Sequence, residues 1–550
     1  MGTRDPLNAI RTRFTPQTRR ARADEAPNHA GGFVFTVDDI TRLRRFLTLG
    51  TDGGTYYVTE HALTEENAAV VLRLAASDPR LVVDEIVAVS QAGRAPRQNP
   101  ALFALAVVAG TADEAGRAYA LSRLSEVART GTHLATFAGY VQQFRGWGRG
   151  LRRAVGAWYL DKTPDALAYQ VLKYAQREGW THRDLLRKAH PETNDAAQAK
   201  LFDYIAHARR TGEAYDLSGL PGLVAAYEEA KTAGPARLVD LIGAYPLSWE
   251  MLPTDVLVRP EVWEALLDAG MPITALIRQL PRLTRLGVLT GPRAASVADT
   301  LSDPGRLAKG RVHPISVLVA LRTYASGHGA RGTGTWEPVG RIVDALDAGF
   351  YAAFAGVAPT GKRTLLALDV SGSMTAPIGG LPLTAREAAA AMALVTARTE
   401  PDHEIVGFTA VGRDPLPSAS AGFVGSAISR LAISPRQRLD DVLSAIWDLP
   451  FAGTDCALPM LWAARYEVPV DTFVVYTDSE TWAGHVHPYQ ALRAYRDRMG
   501  IPAKLVVVGM TASDFSIADP TDAGMLDVAG FDAAVPGLIA DFSTAEVARA

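Results

Sequence analysis

Apolar positions change their rhythm once along the chain. From about residue 37 to 350 they recur at helical spacing, in short amphipathic segments separated by brief polar breaks, with few strand-like alternations. Start signals punctuate the series. Thr111 with Glu114 spells a capping box, and Thr163-Pro164-Asp165 supplies a cap, a proline at the first helical position and an acid in the first turn. Many short helices in succession predict an α-solenoid of stacked helical pairs, although no clean repeat period runs through them. After residue 363 the apolar runs TLLALDVS (364–371), HEIVGFTA (403–410), DTFVVYTDSE (471–480) and AKLVVVGMT (503–511) alternate with the helical stretches TAREAAAAMALVTART (384–399) and HPYQALRAYRDRM (487–499). Strands that are apolar throughout and alternate with helices predict a parallel sheet covered on both faces, hence a doubly wound α/β domain. The expected division is an arm over 1–30, a helical region over 31–358 and the α/β domain over 359–550, with GVAPTGKR (356–363) as the join.

A chain of 550 residues exceeds what one core organises, in keeping with this division. The net charge of −3 excludes a uniformly basic nucleic-acid binder, so any such function must be regional. The single cysteine, Cys456, excludes an intramolecular disulfide and a cysteine-based zinc cluster, and is expected to be a small buried side chain. Together with the absence of a signal-peptide pattern or a run of 18 apolar residues, this places the protein in the cytoplasm. The first 23 residues carry Arg4, Arg11, Arg13, Arg19, Arg20 and Arg22 against Asp5 and predict an irregular basic arm.

Oxygen-bearing side chains gather where the predicted strands end. Asp369 closes the first strand, and Ser371 and Ser373 follow at alternate positions. FAGTDCALP supplies Thr454 and Asp455, and VVYTDSET supplies Asp478. Ligands of doubly wound sheets collect at the carboxyl ends of the strands, and carboxylate and hydroxyl oxygens suit a hard cation. Mg²⁺ is the expected ion, with Mn²⁺ or Ca²⁺ compatible. The competing reading is that these residues merely cap strand-to-helix turns. Two carboxylates without a base do not make a hydrolase, and His485 and His487 read as surface or capping residues. G-x-x-x-x-G-K at Gly356–Lys362 lacks the following Ser or Thr and precedes a strand, so it is not a phosphate loop. G-x-G-x-x-G at Gly327, Gly329 and Gly332 follows a helical stretch, so a dinucleotide site is not expected.

Between Arg145 and His190 ten Lys or Arg stand against four acids. Lys173 and Arg177, four apart, are expected to share one helical face, and Arg183, Arg187 and His190 another, on a helix capped by Thr181. Such faces suit an RNA backbone, with Tyr174 and Trp180 free to stack on bases or to pack inward. The bland alternative is a solvated surface in a chain that uses 48 arginines and 8 lysines.

Asp-x-Ser-x-Ser, a loop threonine and a strand-end aspartate resemble the metal-ion-dependent adhesion site of von Willebrand factor A domains. By that resemblance Ser371, Ser373 and Thr454 ligate directly, Asp369 and Asp478 act directly or through water, and a partner's carboxylate completes the shell. More widely, GGFVFTVDDITRLRRFLTLGTDGGTYYVTEHAL (31–63), GWGRGLRRAVGAWY (146–159), KYAQREGWTHRDLLRKAHP (173–191) and RVHPISVLVALRTYASGHGARGTGTWEP (311–338), with DVSGSM and GTDCALPM, resemble the Ro 60-kDa autoantigen family and its bacterial Ro-sixty-related members. The resemblance spans about 31–545. It implies a TROVE module of HEAT-like repeats closed into a ring, plus a von Willebrand factor A domain, in a non-enzymatic, monomeric protein. It further implies Y RNA on an outer basic surface, contacted by Lys173, Arg177 and His190 with His182 and Arg187 secondary. Misfolded RNA 3′ ends would pass through the ring, and polynucleotide phosphorylase would be a partner in RNA quality control and stress survival. The alternative is a metal-site-dependent protein-interaction module with incidental RNA binding.

Overall fold

The computed structural model describes residues 14–207, 215–329, 333–354, 356–410, 427–439, 441–442, 446 and 452–545. Arg4, Arg11, Arg13 and Gly332 lie outside them. The chain packs as two compact units: residues up to Asn67 together with those from Phe354 onward, and Ala68–Ala353.

Among the described residues the second unit is helical apart from one short hairpin and an isolated bridge between His328 and Thr335. Helix Asn99–Thr111 packs on Gly131–Phe144, and Gly340–Ala352 packs on both Gly291–Ser302 and Pro314–Ala325. The α-solenoid expectation is met. The Arg311 guanidinium donates to Gln91 O (3.0 Å) and His313 Nε2 lies 3.1 Å from Arg94 O, so a late corner of this unit meets an early one, some 220 residues back. Thr163 caps the helix Pro164–Lys173 as expected, its hydroxyl accepting from Ala166 N. The capping box at Thr111 does not form. Thr111 ends the preceding helix with its hydroxyl on Val107 O, and Asp113 caps the next one by accepting from Gly116 N. An aspartate one residue before the helix is the stronger cap.

The first unit is built on a six-stranded sheet in the order Met525–Ala529, Lys504–Gly509, Thr472–Thr477, Thr364–Asp369, His403–Phe408, Ile428–Arg430. All neighbours are parallel except the last pair. The four runs read as strands and the two read as helices (Ala385–Thr399, Pro488–Met499) all form, and the central strands are buried along their whole length. Strand Thr364–Asp369 passes the chain first to one side of the sheet and later to the other, so the switch in strand order lies between it and Thr472–Thr477. That is where the two site aspartates emerge.

Packing and sequence rhythm partition the chain differently at the N-terminal end. Strand Phe33–Thr36 pairs antiparallel with Phe515–Ser516. Arg45, 1% exposed, donates from Nη2 to both oxygens of Asp527 (2.7 and 2.6 Å) and from Nη1 to Ser513 O and Phe515 O. A guanidinium buried this deeply is stable only when its donors are matched in this way. Residues 14–67 are thereby part of the α/β unit. The described part of the arm is irregular as expected but firmly packed: Arg22 pairs with Asp519, and Glu25 Oε1 lies 3.0 Å from His487 Nδ1, both side chains buried.

Candidate metal centre and nucleic-acid interface

At the switch point Asp369, Ser371, Ser373, Thr454 and Asp478 are all at most 5% exposed. The Asp369 carboxylate accepts from Ser371 N (2.9 Å) and Thr477 Oγ1 (2.6 Å), and the Ser371 and Ser373 hydroxyls lie 3.2 Å apart. Ser373 also hydrogen-bonds Asp478, whose Oδ1 accepts from Glu480 N (3.1 Å). Gly372 N donates to Ala452 O, and Trp482 N and Ala483 N donate to Thr454 O, which stitches the threonine loop to the other two. Ser479, directly after Asp478, holds the left-handed conformation (φ 64°) that a serine rarely adopts.

Burial pushes both Asp369 and Asp478 up from the carboxylate range; the Asp369 charge raises Asp478 further, and Asp369 is eased by its hydrogen bonds and by Arg386. Two carboxylates facing each other out of water are unfavourable unless a proton or a cation lies between them. The Thr454 hydroxyl is buried with no hydrogen-bond partner. Among the described residues no three His, Cys, Asp or Glu gather as a metal cluster; the set here is two carboxylates and three hydroxyls. That all-oxygen set fits a hard cation, which when bound would supply a fixed positive charge able to draw in an external carboxylate. Ser371, Ser373 and Thr454 are the residues that would hold it.

Three supporting groups escaped sequence reasoning. Arg386, 2% exposed, donates to Val370 O beneath the Asp-x-Ser-x-Ser loop. A lone arginine at the head of the alanine-rich helix Ala385–Thr399 was its only signal. Gln17, from the arm, is fully buried: its amide nitrogen donates to Asp455 Oδ1 (2.7 Å) and Val486 O (2.8 Å), and its oxygen accepts from Thr481 Oγ1 (2.5 Å) and Gly484 N (3.2 Å). Asn28 donates to Thr481 O. Nothing in the residues around Gln17 or Asn28 pointed to a loop more than 400 positions away. Cys456 is buried, and burial pushes its thiol up, so it is inert as expected. His487 is buried and caps the helix Pro488–Met499, in keeping with the capping half of its surface-or-capping reading.

The basic segment of the helical unit differs from the expected pair of helical faces. Helix Pro164–Lys173 stops at Tyr174, and Arg177 stands on a hairpin, Gln176–Arg177 paired with Trp180–Thr181, turned by Glu178 and Gly179 at φ 50° and 76°. Two left-handed residues in a two-residue loop make the tight turn that matches strand twist, and glycine at the second removes the Cβ cost. Lys173 and Arg177 still meet, each 5.6 Å from the centre of the Tyr174 ring. Lys173, however, is only 8% exposed: its ammonium donates to Tyr169 OH (3.0 Å) and approaches Glu250 (4.0 Å). Trp180 packs on Trp147 at 5.7 Å, both half-buried.

Thr181 and Asp184 form the capping box of helix His182–Ala189. Arg187, Lys188 and His190 are exposed, Arg183 is half-buried, and His190 ends the helix in the left-handed conformation (φ 47°). His182 is 4% exposed, with Nδ1 2.8 Å from Tyr159 OH, and burial lowers its pKa to about 4. Standing at the first turn, on the side that faces the helix Arg149–Leu160, it is a neutral core imidazole and not a surface contact.

A Ro60 vWA domain model matches residues 363–543, and a TROVE domain model matches 26–219 and 242–323. The RNA-binding protein RO60 of Deinococcus radiodurans is 43% identical over 548 residues, covering 98% of this chain and 99% of that protein. The chain belongs to the Ro60 family. The RNA-binding protein RO60 of Caenorhabditis elegans is 36% identical over 610 residues, covering 97% of this chain and 92% of that one. The crystal structure of the Deinococcus radiodurans RO (RSR) protein aligns with a TM-score of 0.68 at 42% identity, over 93% of this chain and all of that one. The TROVE match begins at residue 26, so within this Ro60 family member it includes strand and helix elements that pack in the α/β unit. Among the described residues no helix is long and apolar enough to cross a membrane.

Proposed function

We propose that this protein binds small structured RNA through the hairpin Gln176–Thr181 and the helix His182–Ala189, as a scaffold and not as a nuclease. The observation that carries the reading is the grouping of Arg177, Arg183, Arg187, Lys188 and His190 on one short hairpin and the helix that follows it directly, with the last three exposed. Cations held on a rigid turn and helix suit phosphates. Both relatives are named as RNA-binding proteins. The family resemblance supports Y RNA on this face, 3′ ends of misfolded RNA passing through a ring, and a cytoplasmic monomer that works with polynucleotide phosphorylase in RNA quality control and stress survival.

The test is to crosslink mildly in the protein's own cells, purify it and sequence the RNA, beside an Arg177→Ala, Arg187→Ala variant. One dominant small RNA, lost in the variant, is the expected result. A diffuse population kept equally by both would count against the reading, as would an affinity that stays flat across a salt series. Cleavage of RNA by the pure protein with Mg²⁺ would contradict the scaffold role.

A second activity is favoured by the partnerless Thr454 hydroxyl beside two buried carboxylates: capture of a partner's Asp or Glu through Mg²⁺, or Mn²⁺ or Ca²⁺, at Asp369, Ser371, Ser373, Thr454 and Asp478. Ser373→Ala should then lose a protein partner in pull-downs while RNA binding persists; unchanged partners would refute it.

A further inference from the structure

The cavity beneath Lys173 is distinct from the exposed cations. It measures about 200 Å³ and is walled by Tyr169, Lys173, Ser248, Trp249 and Glu250, with an apolar floor that includes Leu266. Drug-sized ligands occupy roughly 300–1,000 Å³, so this space takes one small ring system. Its polar groups are incompletely used. The Ser248 hydroxyl and Glu250 Oε2 are buried without hydrogen-bond partners, and Ser248 is only 7% exposed. Glu250 Oε1 lies 4.0 Å from Lys173 Nζ, near enough for attraction but too far for a hydrogen bond. Native proteins leave few buried acceptors unsatisfied, because each forfeits its bonds to water without a replacement.

A molecule that completes this pocket must accept from an ammonium, donate to a carboxylate beside it, and be flat and apolar elsewhere. We propose that the Lys173–Glu250 pocket is a guanine-binding subsite. Guanine carries O6 as an acceptor for Lys173, next to N1–H and the N2 amino group, two donors that a carboxylate such as Glu250 takes together. Adenine and cytosine offer an amino donor beside a ring acceptor, and uracil a single donor between two acceptors, so each leaves more of the site unmatched. Tyr169 and Trp249 supply aromatic walls of the kind on which unpaired RNA bases stack. The inference rests on the RNA-binding reading as far as the base belongs to an RNA; a free guanine nucleotide presents the same edge.

The test uses the full-length protein and saturation-transfer NMR or equilibrium dialysis with GMP, IMP, AMP, CMP and UMP. GMP is expected to bind roughly tenfold more tightly than IMP, which lacks the N2 amino group, and more tightly again than the others. Glu250→Gln, which replaces one acceptor by a donor, should remove the preference for GMP over IMP, and Ser248→Ala should leave that preference intact while lowering affinity for both. Thermal unfolding checks that both variants fold. GMP bound no better than CMP, or bound equally by Glu250→Gln, would overturn the proposal. Single-stranded RNA with one guanine replaced by inosine identifies the source. A loss that Glu250→Gln abolishes makes it an RNA subsite. A GMP preference with no inosine effect makes it a free-nucleotide site. RNA binding that fails altogether while GMP binds would refute the RNA reading and leave the guanine site standing.

Discussion

The two charged clusters are opposites in burial, and the contrast sets what each is chemically able to do. At the strand ends Asp369 and Asp478 are out of water, held by backbone and hydroxyl donors and by loops stitched to one another. On the basic hairpin and helix Arg187, Lys188 and His190 stand in solvent on a short stiff element. The buried cluster has an unfavourable charge balance that a cation would relieve, so ligand binding and stability are coupled there. The exposed cluster has little effect on stability, and its charges are available to a partner. Lys173 belongs to neither class, since its ammonium is buried between Tyr169 and Glu250.

Substitutions should separate the two regions. The largest effect is expected from Gly32→Ala, because a Cβ there would lie 1.9 Å from Thr481 O in the loop behind Asp478. The backbone must shift, at a cost of about 2–4 kcal/mol in chemical or thermal unfolding; an unaltered transition would mean that the N-terminal segment is not packed on that loop. Next is the metal itself. Without divalent ions Asp478→Asn should be neutral or stabilising, since it removes one of two facing charges. With Mg²⁺ at a hundred times its dissociation constant the wild type should gain about 2.7 kcal/mol and the variant should not. Equal gains in calorimetry would place the ion elsewhere.

Gln17→Ala should cost about 1–3 kcal/mol by leaving Asp455, Thr481 and Gly484 short of partners, and urea denaturation measures it. At the other end of the scale, Arg187→Ala should change stability by less than about 0.5 kcal/mol yet lower RNA affinity and flatten its salt dependence. Lys173→Ala should lower both RNA affinity and the melting temperature, because it empties a buried position. Its burial corrects the expectation that Lys173 stands on an outer basic surface.

The buried Glu25–His487 pair adds a pH dependence to the arm. Burial disfavours the His487 imidazolium, but the Glu25 carboxylate and backbone carbonyls outweigh it and raise its pKa above 6.5. Burial likewise opposes the Glu25 carboxylate, and His487 with the backbone N–H groups of Ala21 and Arg22 brings it below 4.5. The histidine contribution is complete below 6.5 and fades as pH rises through the raised value; the glutamate contribution is complete above 4.5 and fades as pH falls through the lowered one. The arm is therefore held most firmly between these limits, and protease sensitivity near residues 19–25 should rise above them in wild type but not with pH in His487→Gln.

Much of this molecule is decided locally. The strands around Asp369 and Asp478 are short apolar runs with no amphipathic competitor, so their ends and the oxygens beyond them are legible from the residues alone. Thr163 and Thr181 mark helix starts because a hydroxyl two or three residues from free N–H groups acts without help from the fold. Whether a given side chain then meets solvent or the interior is not a local property. Lys173 ends a helix whose neighbour happens to bring Glu250, and Arg177 leaves the helical path because Glu178-Gly179 turns tightly. Gln17 reaches Asp455 only once the sheet has formed, since an amide has no preference until its partners are fixed in space. The sequence by itself determined most of the elements, the oxygen-bearing side chains at the strand ends and the basic segment. Tertiary packing alone decided which charges are buried, which loops the N-terminal arm holds, and that the cavity under Lys173 exists, because burial and long-range hydrogen bonds depend on neighbours that are tens to hundreds of residues apart.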